Sequence, residues 1–507
     1  MKNRFKEFGK FYLIGGLGGV DLLEVQWLFF LLSFGCFFSE LLKLPKETMP
    51  RQFLYKPFAY WFGFFTVSLC WLAAPLTVNL KEHGILIPLA VTAIPAYLAV
   101  PYMAVTYWGN HAKTYHSELL RRVYYQTGEV GRAFWFSFMT CLVMYFFGNY
   151  APGFPWALPG YIWSSDVVML QAFSIWGIYG QTFVTIFVGG LLGGAYFRFR
   201  QNQSYVRCAL LALSILTVLF LFGWARLSEN PTEYTQYRCC CVQASIEQND
   251  KMKKENKGAN FRKHLQLSSN KASGENFDFI IWPEASVPYL FYKDHYQLKA
   301  AMASIVPPHG YLISGVVREE AETKNIYNSV VVLDEFGKEV GFYDKKRLVP
   351  FGEYIPFRKF APSPLKSLVD SIGDFDVGTL PNIIEVKGLK IAFAICYEAI
   401  FSGDIISREA DCDVIVNVTN DGWFGHSPEL NQHLRIVRAR AVEEGRPLIR
   451  ATNFGISAVF DAYGRQIASL GVDEVGTMDF FIPKKVDDTI FRCMRHVERK
   501  RKIKYNH

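Results

Sequence analysis

Apolar residues are gathered into long runs before residue 225 and into short, turn-bounded runs after residue 230. A helix needs roughly 20 apolar residues to cross a bilayer. Six segments approach that length: 25–42, 58–80, 84–108, 133–150, 173–197 and 208–224. The first is marginal, because Glu40 lies near its end. Lys and Arg number four in connection 43–57, one in 81–83, four in 109–132, none in 151–166 and three in 198–207. Basic loops stay on the cytoplasmic side, so connections one, three and five are expected there and everything after Trp224 beyond the membrane. Lys2, Arg4, Lys6 and Lys10 would then lie on the wrong side unless another helix precedes residue 25, and 11–24 reads as a weak one.

After residue 230 the short runs predict strands at 277–282, 311–316, 329–333, 391–395, 414–418 and 456–460. Several are apolar throughout, as strands covered on both faces are. Asp334-Glu335-Phe336-Gly337 and Asp461-Ala462-Tyr463-Gly464 read as hairpin turns, and 430–444 as a helix. The expected organisation is a polytopic helical membrane domain over 1–229, an α/β domain over 230–483 and a basic tail over 484–507. The charged stretch Lys251-Met252-Lys253-Lys254-Glu255 reads as a solvated helix or loop.

Composition sharpens this picture. Half of the 507 residues are hydrophobic and 16% are aromatic, which is high for a soluble protein. The net charge of +8 does not imply a nucleic-acid partner, since many basic residues lie in short loops between apolar segments or in the last dozen residues, and no such binding motif is present. Among ten cysteines, Cys36, Cys70, Cys141 and Cys208 lie in or beside apolar segments, and Cys239-Cys240-Cys241 cannot readily bridge one another, so a disulfide framework is not expected.

Three short motifs carry chemistry, each at the end of a strand-like run. Cys396 leaves 391–395 just before Tyr397-Glu398-Ala399-Ile400-Phe401, where turn N–H groups favour a thiolate and can bind an oxyanion. A cysteine after an apolar strand is, by itself, more often an inert core residue. Glu284 follows Trp282-Pro283, whose proline ends the strand and projects the carboxylate as a candidate base. Lys345 lies in the run Lys345-Lys346-Arg347, but alternation lets at most one of the two lysines point inward. A buried ammonium there would stabilise a tetrahedral oxyanion and hold the cysteine as thiolate.

In this order the three sites resemble the Glu-Lys-Cys arrangement of the nitrilase superfamily. W-P-E-x-x-x-P, Y-x-K-x-x-L-V-P-F-G-E and C-Y-E-x-x-F, placed after a membrane domain, are similar to the motifs of the bacterial apolipoprotein N-acyltransferases. The resemblance implies a C-terminal αββα sandwich with Glu284 as general base, Lys345 as the oxyanion-stabilising lysine and Cys396 as nucleophile. It implies supporting or substrate-binding roles for Glu353, Tyr397, Glu398 and Trp423, the last in Asn420-Asp421-Gly422-Trp423-Phe424-Gly425. The implied reaction moves the sn-1 acyl chain of phosphatidylethanolamine through a cysteine thioester to the α-amine of the S-diacylglyceryl-cysteine of an apolipoprotein. The implied setting is the bacterial inner membrane, multi-pass, with the catalytic domain periplasmic and the protein a monomer. No cofactor is implied. His426 and His433 are seven apart and share a potential helix face, but nothing completes a zinc site.

Two departures from the family pattern stand out: no apolar segment of spanning length follows Leu470, and the first helix is weak. Two alternatives therefore accompany the acyltransferase reading. One is a membrane-tethered nitrilase-type amidase, and the other is a shortened, non-catalytic homologue.

Overall fold

The computed structural model describes residues 2–20, 27–44, 54–110, 118–150, 153–272, 276–291, 295–355, 374–407 and 410–495. The chain forms two compact units, one comprising 1–73 and 85–229, the other 74–84 and everything from Asn230 onward.

The first unit is helical: α1 (Lys2–Val20), α2 (Leu28–Leu42), α3 (Tyr55–Ser68), α4 (Ile87–Asn110), α5 (Glu118–Asn149), α6 (Phe173–Arg200) and α7 (Val206–Glu229). Among the described residues, four stretches are long and apolar enough to cross a membrane: Leu80–Thr106, Gly128–Asn149, Phe173–Arg200 and Val206–Glu229. The expected spans at 25–42 and 58–80 are not straight crossing helices. The first is a 15-residue helix, Leu28–Leu42, and the second bends by 60° between Ser68 and Cys70. A 3₁₀ turn over Cys70–Ala73 and Pro75 behind it interrupt the α ladder there. The weak helix expected at 11–24 lies instead at Lys2–Val20. Its glycines let backbones touch: a Cβ on Gly15 would fall 1.8 Å from the Tyr60 carbonyl oxygen, and one on Gly63 2.0 Å from that of Tyr12. Close approach through small residues substitutes for hydrophobic driving force where the surroundings are already apolar. The basic run 498–502 lies outside the described residues.

The second unit is an αββα sandwich. Its first sheet has the order β13-β1-β2-β4-β5-β6, built from β1 (Tyr234–Gln243), β2 (Phe279–Trp282), β4 (Tyr311–Glu319), β5 (Ile326–Asp334), β6 (Glu339–Asp344) and β13 (Gly476–Pro483), with the short β3 (Leu290–Phe291) beside β4. The second sheet has the order β12-β11-β10-β9-β8-β7: β7 (Ile383–Val386), β8 (Leu389–Ile395), β9 (Val414–Thr419), β10 (Leu448–Thr452), β11 (Ser457–Phe460) and β12 (Gln466–Leu470). Between the sheets, Cys241, Ile281 and Val330 pack in one core with Ile391, Phe393 and Val416. Alternate residues of the same strands face outward: Cys240, Ile280 and Trp282 meet Phe261 of α9 (Lys257–Ala272) and Leu298 of α10 (Tyr296–Ala303), while Ala392, Ala394 and Ile415 meet Val437 and Ala441 of α11 (Glu429–Glu444). Burial of both faces is why these strands carry no polar alternation. A short helix, α8 (Gln248–Met252), follows β1. Parallel pairing of β2 with β1 and β4, and of β8 with β9, brings the loops leaving β2 and β8 to the carboxyl ends of their sheets, where α/β folds build sites.

Candidate active site

Glu284, Lys345 and Cys396 meet in the second unit. The Lys345 ammonium donates to Glu353 Oε1 at 2.9 Å and to Glu284 Oε1 at 3.5 Å. Electrostatically, the Cys396 thiol feels both Glu284 and Lys345. Lys345 is 1% exposed whereas Lys346 is on the surface, so the inward lysine is the first of the pair. Its backbone is pinned on both sides, the N–H donating to the Asn328 carbonyl and the carbonyl accepting from the Gly378 N–H, each at 2.8 Å.

Asn328, on β5, escaped the sequence reading. Its amide donates to Glu284 Oε1 at 2.7 Å and to Glu353 Oε1 at 2.8 Å, so one NH₂ holds two carboxylates together with the ammonium. Glu353 is fixed further by the Val349 N–H on its other oxygen. Only its strand position, with the side chain turned towards loops far along the chain, marks Asn328, and no local motif contains it.

The expected additional carboxylate Glu398 acts as a clamp between the sheets. Its Oε1 accepts from the Tyr343 hydroxyl and from the Lys346 and Arg347 N–H groups, and its Oε2 from the Ile395 N–H. These bonds lock the loop after β6 to the turn after β8, and hence Lys345 to Cys396. Burial raises the Glu398 carboxyl above its ordinary value, against the pull of those hydrogen bonds. Tyr397 is buried beside Phe401, their ring centroids 5.3 Å apart. Trp423 is half-buried in the turn Asp421–Phe424.

Cys396 itself has φ +50°, a left-handed conformation that a non-glycine residue adopts only under constraint from its surroundings. This makes the elbow sharp at the strand exit. Contrary to the expected resting thiolate, burial pushes the thiol well up and Glu284 adds to this, outweighing Lys345 and a hydrogen bond from Thr419. Desolvation disfavours the charged form more than one ammonium, already shared by two carboxylates, can offset. For Lys345 the balance is reversed: burial works against its charge, but Glu353 and Glu284 together raise it.

Beneath the elbow lies a buried charge network. Arg450 donates to Asp421 Oδ2 at 2.5 Å and to Asn417 at 2.7 Å, while Asn417 donates to the Ala394 carbonyl on β8. His433 contacts Asp421 and Glu429, each at 3.2 Å. Ligand-type atoms of Asp421, Glu429 and His433 lie within 4.8 Å of one another, but the Arg450 guanidinium supplies the cation there. His426 is not part of this group: it is exposed and pairs with Asp473.

Lys251 also departs from expectation. In place of a fully solvated run, its ammonium is desolvated and donates to the Glu284 carbonyl at 3.1 Å, whereas Lys253 remains exposed beside Asp250.

Family models match two stretches: residues 239–486 match the carbon-nitrogen hydrolase family and residues 19–191 the apolipoprotein N-acyltransferase N-terminal domain. Among solved structures, an amidase of the nitrilase superfamily from Nesterenkonia is 18% identical with a TM-score of 0.38, covering 53% of this chain and 98% of its own. An apolipoprotein N-acyltransferase of Brucella melitensis biotype 1 is 34% identical over 453 residues, 86% of this chain and 81% of that protein. One from Rickettsia prowazekii is 32% identical over 493 residues, 94% of this chain and 92% of that protein. With identity at that level running through both the helical and the sandwich units, the chain belongs to the apolipoprotein N-acyltransferase family.

Proposed function

We propose that this protein transfers a fatty acyl chain from the sn-1 position of phosphatidylethanolamine, through a thioester on Cys396, to the α-amine of an S-diacylglyceryl-cysteine at a lipoprotein N-terminus. The observation that carries this reading is the convergence of a buried carboxylate, a buried ammonium and a half-buried thiol on three separate loops in a chain whose described residues also include four apolar helices of spanning length. Glu284 takes the thiol proton as sulfur attacks the ester carbonyl, and Lys345 faces the resulting oxyanion. Collapse breaks the ester C–O bond, and the proton held by Glu284 passes to the departing glycerol oxygen, releasing lysophospholipid. In the second half the α-amine attacks the thioester, Glu284 accepts its proton, and the C–S bond breaks to return the thiol. The thioester conserves acyl reactivity, so two substrates can visit the site in turn. A thiol kept protonated until substrate arrives matches this use of Glu284. Glu353 and Glu398 hold Lys345 and Cys396 in place, and Trp423 and Tyr397 line the space for the lipid. The alternating Lys and Arg counts of the loops support a catalytic unit on the periplasmic side of the inner membrane.

Intact-mass spectrometry after incubation with phosphatidylethanolamine tests the proposal. Wild type gains one acyl mass on Cys396, and Cys396→Ala gains none while remaining inserted in the membrane. An unmodified wild type that hydrolyses small amides instead would establish the amidase reading.

A further inference from the structure

Lys251 lies outside the three-residue arrangement, on a helix that reaches two loops of the site at once. We infer that Lys251 is a positioning residue for Glu284: its ammonium ties α8 to the backbone that carries the proposed base. The inference rests on the function proposed above.

The Glu284 loop is tightly determined on its β4 side. A Cβ on Gly315 would fall 2.5 Å from both Glu284 Cα and the Pro283 carbonyl oxygen, and Ser286 donates to the Gly315 carbonyl from its N–H at 3.0 Å and its hydroxyl at 3.1 Å. Ala285, next in the chain, has φ +45°. Lys251 adds a charged tie at 3.1 Å from another element, and a hydrogen bond from an ionised donor is stronger than a neutral one. The segment bearing it is anchored in turn. Gln248 is buried and accepts from the Asn420 amide at 2.9 Å, and Asn453 donates to the Ile246 carbonyl at 2.8 Å. Residues 246–251 therefore couple the base loop, on the first sheet, to the Asn420 loop, on the second.

Among the described residues, the charged surroundings of Lys251 are few. Glu284 attracts its proton, with Glu353 and Lys345 beyond, and Asp250 is paired with Lys253. His264 on α9 is held down to about 4 by burial and is neutral, and Lys263 also acts on it. Desolvation lowers Lys251 to about 8, so it is cationic at neutral pH and loses its charge in mild alkali.

The test is the single-turnover rate of Cys396 acylation by phosphatidylethanolamine vesicles, measured on the full-length protein as a function of pH around 8. Lys251→Met is expected to lose about tenfold to a hundredfold in rate at saturating phospholipid, with KM within about twofold, the scale of one charge-assisted hydrogen bond. Lys251→Arg is expected to recover most of that rate and to keep it above pH 8, where wild type falls, because a guanidinium does not titrate there. Lys253→Met should match wild type. A wild-type rate in Lys251→Met, a change confined to KM, or an alkaline fall that persists in Lys251→Arg would overturn the inference. Should Lys251→Met not fold, the pH profile of Lys251→Arg decides alone. Failure of wild type to form any adduct sinks the proposed function, whereas an adduct indifferent to Lys251 sinks only this inference.

Discussion

Replacing Lys345 by Met removes a buried positive charge without removing the bulk of the side chain. The ammonium is 2.9 Å from one carboxylate, 3.5 Å from another and electrostatically coupled to the Cys396 thiol. Two unit charges about 4 Å apart at an effective dielectric of about 20 interact by ~4 kcal/mol. An oxyanion forming near Lys345 in the transition state would lose a stabilisation of that order. The loss of one oxyanion donor in hydrolases is of similar size, about 10² to 10³ in rate. Single-turnover acylation of Cys396 by phosphatidylethanolamine, followed by intact mass, should therefore slow about a thousandfold in Lys345→Met. Lys346 is exposed and engages Glu398 only through its backbone N–H, so Lys346→Met should stay within about twofold of wild type. Breaking a buried ion pair also costs about 3–5 kcal/mol of stability, so rates must be compared on monodisperse material at a temperature where the variant is folded. A Lys345→Met rate within about tenfold of wild type, or equal losses in the two variants, would refute the assignment of the inward lysine.

Two further outcomes follow from packing and titration. In Gly378→Ala the new Cβ would fall 2.0 Å from the Asp344 carbonyl oxygen, so the strand end must shift and Lys345 with it. Acylation should fall more than tenfold with a stability loss of about 1–3 kcal/mol, and unchanged acylation would show that Lys345 does not depend on this contact. Burial and the adjacent Asp421 push the Glu429 carboxyl up to about 7 from its ordinary 4.5, and His433 is raised as well. Both groups bind their proton more tightly in the folded state. Their stabilisation is therefore complete at low pH and lost as pH rises through their folded values. Thermal inactivation in detergent should accelerate between pH 4.5 and 7 less steeply in Glu429→Gln than in wild type; identical slopes would contradict this.

The three chemical motifs were legible because each lies where an apolar run stops, and a run's end is a local signal. Strands β2, β4, β5, β8, β9 and β11 were legible for the same reason: largely buried on both faces, they read as mainly apolar stretches. Strand β12 was not, since its residues are exposed or half-buried and no apolar stretch marks it. Asn328, Thr419 and Arg450 act on the site from positions defined by pairing across the sheets, and Gly378 from an irregular segment that folds back onto Lys345, neither of which any spacing along the chain encodes. Lys251 was misread for a related reason. Its neighbours Lys253 and Lys254 are indeed solvated, and only the return of the chain 33 residues later covers one member of the run. The bent helix pair at 55–77 shows the opposite error, where hydropathy alone counted a broken element as continuous.

Pairing of β1 with β13, in register from Arg238 with Phe481 to Gln243 with Gly476, has a consequence for biogenesis. The sheet that presents Glu284 and Lys345 cannot be completed until Gly476–Pro483 has left the ribosome. Until then the free edge of β1, with its three cysteines and apolar neighbours, awaits a partner separated from it by more than two hundred positions. Long-range closure of this kind slows folding and leaves sticky edges open to the wrong chain. Premature stops shortly before Gly476 should therefore yield aggregates rather than partly active protein.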